Sequence, residues 1–269
     1  MSFDIKYSIF SAMGRSFLDK LNAKWDEGKF VCIGLDKADF EFNKSIIDST
    51  HNLVCAYKPQ SAYYEALGAE GWKTLKKTVE HVQSNYPDIP LILDAKRADI
   101  GPTSSEYAKA IFDLLGFDAV TVNPYLGKEA LEPFLERTNK GIIVLVRTSN
   151  PGAGEFQDLP VDGKPLYQLV AKHIANEWNT NGNCAVVVGA TYPEELKTVR
   201  EIIGDIPILI PGIGAQGGDL EASLQAGLNS RKQGVIISSS RNIIHAPNPK
   251  AETEALHNKI LSYINKDGD

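Results

Sequence analysis

The chain has 269 residues, 43% of them hydrophobic and 23% charged, and carries a formal charge of -6. A chain of this length buries roughly three quarters of its unfolded surface, enough for one large core, and single α/β barrels run near ~250 residues. We therefore expect one domain over 1–269. The acidic balance argues against general nucleic-acid binding, which wants a basic stripe, while leaving room for a local cationic pocket that takes a small anion. Cys32, Cys55 and Cys184 sit inside apolar, strand-like runs. They read as buried thiols in a reducing cytosol, not as a disulfide frame or a metal site. With no signal-type apolar region and no apolar run long enough for a bilayer, the expectation is a soluble, cytoplasmic protein with no membrane partner.

In chain order, 6–27 reads as a lead-in helix, since Ile9, Met13, Phe17 and Leu21 recur at four-residue intervals. Strands are expected at 30–35, 53–57, 90–95, 119–122, 142–146, 185–188, 207–210 and 234–237. They are short and nearly continuous in Val, Ile and Leu, the signature of parallel strands buried on both faces. Helical patterns come after them at 41–51, 61–84, 104–116, 127–138, 165–180, 193–203, 217–227 and 251–265. Eight strand–helix pairs is the count for a single (β/α)8 TIM barrel. The alternative is a doubly wound open sheet, which typically has fewer strands and a glycine-rich turn after the first. Gly34-Leu35-Asp36-Lys37 is no such turn. Two irregular segments, 150–164 and 211–218, come after the fifth and seventh strands, where barrels grow lids and ligand clamps.

The densest chemistry lies in 92–103, where Asp94, Lys96, Arg97 and Asp99 crowd the end of an apolar strand. Strand alternation puts Asp94 and Lys96 on one face, with Ala95 and Arg97 on the other. A plain ion pair ending a strand is the simpler account. Burying charge costs several kcal/mol unless it is partnered, however, and a third charge at once points to a reaction centre. The other strand ends add Asp36, Lys58, Asn123, Thr148, Ser149, Gly189, Pro211, Gly212, Ser240 and Arg241, at the face where barrels hold their active sites. Taken singly, Asp36 could start a turn and Lys58 could snorkel to solvent. Together with Asp94 and Lys96, all at the same strand end, they would project into one mouth and are harder to dismiss.

A second signal sits after strands seven and eight, the usual phosphate site of this barrel. Gly212, Gly214, Gly217 and Gly218 let backbone amides approach an anion, and Arg241 can fork onto phosphate oxygens. The five histidines form no close pair, and no nucleophile elbow, P-loop or dinucleotide fingerprint is present. A zinc centre or a histidine triad is therefore not expected. Lysine and aspartate are left as the working groups.

These residues carry a family resemblance. DAKRADIGPT (94–103) resembles the D-x-K-x-x-D-I-x-x-T signature of the orotidine 5′-phosphate decarboxylases, and IGLD (33–36), AYKP (56–59), RTSNPG (147–152), PGIGAQGG (211–218) and SSRNI (239–243) extend it in order over nearly the whole chain. The length resembles the longer bacterial branch. The D-x-K-x-x-D core alone is shared with sugar-phosphate decarboxylases and synthases of the superfamily. The resemblance implies conversion of orotidine 5′-phosphate to UMP and CO2 without cofactor or metal, the last step of pyrimidine nucleotide synthesis. It also implies a charged tetrad of Lys58, Asp94, Lys96 and Asp99, in which Lys96 donates the proton to C6. Asp99 and Thr103 would reach the neighbouring subunit's site, making a homodimer. Asp36 would bind the ribose and Ser149 the pyrimidine edge. Gln216 would bridge phosphate and base, Arg241 would hold the phosphate, and Pro211 and Ser240 would complete the substrate-binding set. Ala98 departs from the pattern, standing where many relatives have Gly. Thr103 has a rival local role, because Thr103-Ser104-Ser105-Glu106 fits a capping box, unless Ser104 is the cap. Two other functions stay open: a Mg2+-dependent sugar-phosphate decarboxylase or aldolase, with carboxylates ligating the metal, and a non-catalytic nucleotide-binding barrel.

Overall fold

Eight parallel strands close into a barrel: β1 (Val31–Gly34), β2 (Val54–Lys58), β3 (Ile92–Arg97), β4 (Ala119–Val122), β5 (Gly141–Arg147), β6 (Cys184–Val188), β7 (Ile208–Pro211) and β8 (Val235–Ser239). The computed structural model describes residues 14–213 and 218–266. The hydrogen-bonded order is β2-β1-β8-β7-β6-β5-β4-β3. The two ends of that order meet through the bridges Tyr57↔Leu91 and Gln60↔Asp94, where Tyr57 N donates to Pro90 O and Asp94 N donates to Pro59 O. All eight expected strands are present. β1, β2, β4 and β6 are buried along their whole length, because helices cover the outside and side chains fill the inside.

The opposite, N-terminal mouth is closed by helix α1 (Phe17–Asp26), started by a capping box between Ser16 and Asp19. Its Trp25 Nε1 donates to Val235 O at 2.8 Å, and Lys20 pairs with Asp118 at 2.9 Å. The Phe17 ring lies where a Cβ on Gly141 would stand, 2.2 Å from its Cδ1, so β5 opens on glycine. The expected continuous helix over 6–27 is not found: Gly14–Ser16 are non-helical and the Ser16 cap starts the helix at Phe17, while Ile9 and Met13 lie outside the described residues.

Helix α2 (Phe40–Thr50) is capped by Asp39. The expected helix at 61–84 is two helices, α3 (Ser61–Glu65) and α4 (Gly68–Asn85). Gly68 takes φ +57° at the break, and a Cβ on Gly71 would stand 1.8 Å from Tyr64 O. The apolar period runs on across the break, which is why the pattern reads as one helix. Helix α5 (Gly101–Ala108) starts three residues earlier than expected and passes into a π-helical stretch, Lys109–Leu114. Ile100 holds the N-cap position with no side-chain cap, so neither Thr103 nor Ser104 forms the capping box. Ser104 is buried and donates instead to Asp99 O at 2.8 Å. α6 (Lys128–Leu135), α7 (Leu166–His173), α8 (Pro193–Ile203), α9 (Leu220–Gly227) and α10 (Pro249–Lys266) complete the outer ring.

Segment 150–164 is more ordered than its composition implies. It holds a helical turn, Gly154–Gln157, and a small hairpin of Pro160–Val161 with Lys164–Pro165. The hairpin turns on Asp162-Gly163, both at positive φ, as a two-residue hairpin loop requires. Among the described residues no helix is long and apolar enough to cross a membrane.

Candidate active site

β3 does not end as a regular strand. Leu93 pairs with Val120 and Arg97 with Val122, so four residues of β3 advance against two of β4. That is a bulge. Within it Lys96 takes φ +48°, the left-handed region that non-glycine residues rarely enter. Asp94 and Lys96 both reach the barrel mouth, but the bulge puts them there and not simple alternation. Arg97 turns away to pair with Glu65 and covers the Tyr107 ring.

At the mouth, the Asp94 carboxylate sits between two ammonium groups. Lys58 Nζ lies 2.9 Å from Oδ2 and Lys96 Nζ lies 2.6 Å from Oδ1. Lys58 is buried, whereas the Lys96 side chain keeps 45% of its exposure. Burial pushes the Asp94 carboxyl up, yet the charges of Lys58 and Lys96 and their hydrogen bonds outweigh it and hold the group far below the usual carboxylate range. Burial also works against charge on Lys58, but Asp94 and Asp36 overcome it and raise the lysine above its ordinary value. Asp94 and Lys58 are therefore both ionised at neutral pH. The neighbouring Cys32 thiol is pushed up to about 12 by burial and is no nucleophile there.

Lys58, Asp94 and Lys96 line a cavity of about 700 Å³ together with Asp36, Ser149, Pro211, Ser240 and Arg241. Asp36 accepts a hydrogen bond from Ser240 Oγ at 2.5 Å, which ties the end of β1 to the end of β8. The approach requires Gly34, since a Cβ there would stand 2.7 Å from Ser240 Cβ. The other oxygen of Asp36 is buried with no hydrogen-bond partner among the described residues, which leaves an acceptor for a ligand hydroxyl. Across the mouth, Gly189 leaves room for Ser149 in the same way, a Cβ there standing 2.7 Å from Ser149 Cβ. Gln157 folds back from the β5 loop, accepting from Thr148 N at 2.9 Å. Arg147 pairs with Asp158 at 3.1 Å and stacks over Tyr192.

Ten of the expected mouth residues thus share one cavity: Lys58, Asp94, Lys96, Asp36, Thr148, Ser149, Pro211, Gly212, Ser240 and Arg241, whereas Asn123 and Gly189 do not line it. Asp99 and Thr103 do not line it. Asp99 Oδ1 accepts from the Ile100 amide at 2.7 Å, and Thr103 is exposed on the first turn of α5. Gln216, Gly214 and Gly217 lie outside the described residues. Gly212 takes φ +97° and its carbonyl accepts from Gly218 N at 3.2 Å. Among the described residues no three His, Cys, Asp or Glu side chains gather as metal ligands. Sequence reasoning missed Thr121, Gln60, Tyr63 and Gln157, which also line the cavity. For Thr121 the sequence offers only a lone hydroxyl in the otherwise apolar run AVTV, which ordinary β-propensity explains equally well.

Residues 29–256 match the model of the orotidine 5′-phosphate decarboxylase / HUMPS family. Orotidine 5′-phosphate decarboxylase of Janthinobacterium sp. (strain Marseille) is 50% identical over 246 residues, spanning 86% of this chain and 90% of that protein. Its counterpart in Cellvibrio japonicus (strain Ueda107) is 48% identical over 264 residues, spanning 92% and 96%. The solved structure of Leishmania donovani OMP decarboxylase superposes with a TM-score of 0.87 at 38% identity, covering 93% of this chain and 98% of that one. Leishmania donovani UMP synthase gives 0.90 at 40% identity, covering 94% of this chain but 57% of the longer protein.

Proposed function

Because the chain belongs to the orotidine 5′-phosphate decarboxylase / HUMPS family, we propose that it converts orotidine 5′-phosphate to UMP and CO2, without a cofactor. One observation carries the reading: the Lys58–Asp94–Lys96 array and Arg241 face one cavity. Arg241 holds the phosphate, the free oxygen of Asp36 takes a ribose hydroxyl, and Ser149 meets the pyrimidine edge. Gln216 bridges base and phosphate, while Pro211 and Ser240 line the pocket.

Cleavage of the C6–carboxylate bond leaves its electron pair on C6 and releases neutral CO2. The charge develops on a carbon with no carbonyl beside it to share the load, so fixed electrostatics must stabilise it. Lys96, its ammonium gripped by Asp94, supplies a positive charge at that point. It then gives its proton to C6 and regains one from solvent. Contacts to the distant phosphate supply binding energy that holds C6 against Lys96.

The functional unit in this proposal is a homodimer in which Asp99 and Thr103 of a second copy complete each site. Ile100, Tyr125 and Leu126 support it, because they expose large apolar surface beside Asp99 and just ahead of α6, which packs on α5. Residues 1–269 act as one domain. The cysteines are free and buried, in keeping with a cytoplasmic location, and fractionation that recovers the protein elsewhere would contradict it. The test of function is the decline of orotidylate absorbance on mixing, with and without EDTA. Turnover insensitive to EDTA is expected. Turnover abolished by EDTA would favour the metal-dependent reading, and UMP binding without turnover would leave only a binding protein.

A further inference from the structure

The left-handed backbone at Lys96 costs a residue with a Cβ about 1–2 kcal/mol, so something must hold it there. The neighbour that does so is Thr121 of β4, which is buried. Its Oγ1 lies 2.9 Å from the amide of Ala95 and 2.9 Å from the amide of Lys96. The bulge has taken both donors out of the strand ladder. A threonine hydroxyl has two lone pairs and one proton. With both lone pairs engaged by amides, the proton has one place to go: Asp94 Oδ1, at 2.9 Å.

We infer that Thr121 is a positioning residue for the reaction. A single hydroxyl fixes the backbone turn that presents Lys96 and also orients the carboxylate that grips its ammonium. The functional consequence rests on the decarboxylase reading, whereas the hydrogen-bond assignment stands apart from it. A side chain that served only to fill the core would affect stability alone. One that positions the proton donor affects the chemical step and leaves ground-state binding in place.

The experiment compares Thr121→Val, Thr121→Ala and Thr121→Ser in the full chain, using steady-state kinetics, UMP affinity and amide hydrogen exchange. Misplacing a catalytic group by an ångström costs about 100-fold. On that scale Thr121→Val and Thr121→Ala should lower kcat about 10–100-fold, with KM and the UMP Kd moving less than about threefold. Amide exchange at Ala95 and Lys96 should quicken about tenfold or more, since each loses its acceptor. Thr121→Ser keeps the hydroxyl and should restore slow exchange and most of kcat. The inference is overturned by kcat within about twofold of wild type in Thr121→Val or Thr121→Ala, or by a Thr121→Ser variant as slow as either. If the wild type itself fails to decarboxylate orotidylate, the functional reading falls, and amide exchange still judges the role of Thr121.

Discussion

Asp94→Asn is the sharpest probe of how the site is held together. The substitution keeps the shape of the side chain and removes the charge that Lys58 and Lys96 share. Lys58 is only 6% exposed, so its ammonium cannot recover the loss from water, and Asp36 is the main opposing charge left to it. Leaving one partner of a buried pair uncompensated costs about 3–5 kcal/mol, a large share of the about 5–15 kcal/mol that holds a folded protein together. With a urea slope near ~3 kcal/mol per M, the midpoint should fall by roughly 1–2 M. Adding Lys58→Met removes the stranded charge, so the double variant should be more stable than Asp94→Asn alone, with a coupling energy on the order of 2 kcal/mol. Adding Lys96→Met instead should give little relief, because its side chain is 45% exposed and rehydrates. The pH dependence has a fixed sign. The folded-state pKa of Asp94 is depressed, so its contribution is complete above the ordinary carboxylate range and is lost as pH falls through the folded value. The gap between wild type and Asp94→Asn should be flat above about pH 5 and narrow below about pH 4. Additive single and double variants, within about 0.5 kcal/mol, would refute a coupled buried pair.

Lys96→Ala should fold and bind UMP yet lose about 10³-fold or more in kcat, and near-wild-type turnover would rule it out as the proton donor. Arg241→Ala should lower kcat/KM for orotidine 5′-phosphate by about 10–100-fold and leave orotidine, which lacks the phosphate, unaffected; equal losses would remove Arg241 from the phosphate site. Mixing inactive Lys96→Ala with inactive Asp99→Asn tests sharing between subunits. If Asp99 serves the neighbouring site of a two-fold dimer, random reassociation restores about a quarter of wild-type activity, whereas no recovery would place Asp99 in its own chain's site.

The strands were legible because a parallel barrel leaves each of them no wet face, and runs such as Val31–Gly34 and Cys184–Val188 record that directly. The helix break at Gly68 was not legible. An apolar period persists across it, and the close approach of Gly71 to Tyr64 O exists only once the chain has turned. The site was read for a partly mistaken reason. Alternation along β3 would bring Asp94 and Lys96 to one face, and they do meet, but through a bulge whose cause is a hydroxyl on the adjacent strand. A threonine in a valine-rich strand looks like ordinary β-propensity, and its three hydrogen bonds exist only once β3 and β4 pair. Gln157 was hidden in the same way, since a loop glutamine gains meaning only when it reaches back to Thr148.

The division of labour in the barrel accounts for which of these features a sequence can carry. The charged array is built on β2 and β3, elements whose backbone the ladder fixes, and three charges at hydrogen-bond distance tolerate little movement. The proposed anion end has Gly212 at positive φ just beyond β7 and Arg241 on a single helical turn just beyond β8. There the long Arg241 side chain can adapt to a ligand. Between them, Ser240 donating to Asp36 joins the end of β8 to that of β1. Changes at the lysines and Asp94 should therefore act on stability and on the chemical step. Changes at Arg241 should act on binding. Ser240→Ala, which removes the Asp36 contact while leaving both ends intact, should move KM more than kcat, and a variant that loses kcat with KM unchanged would show that the two ends are not mechanically separate.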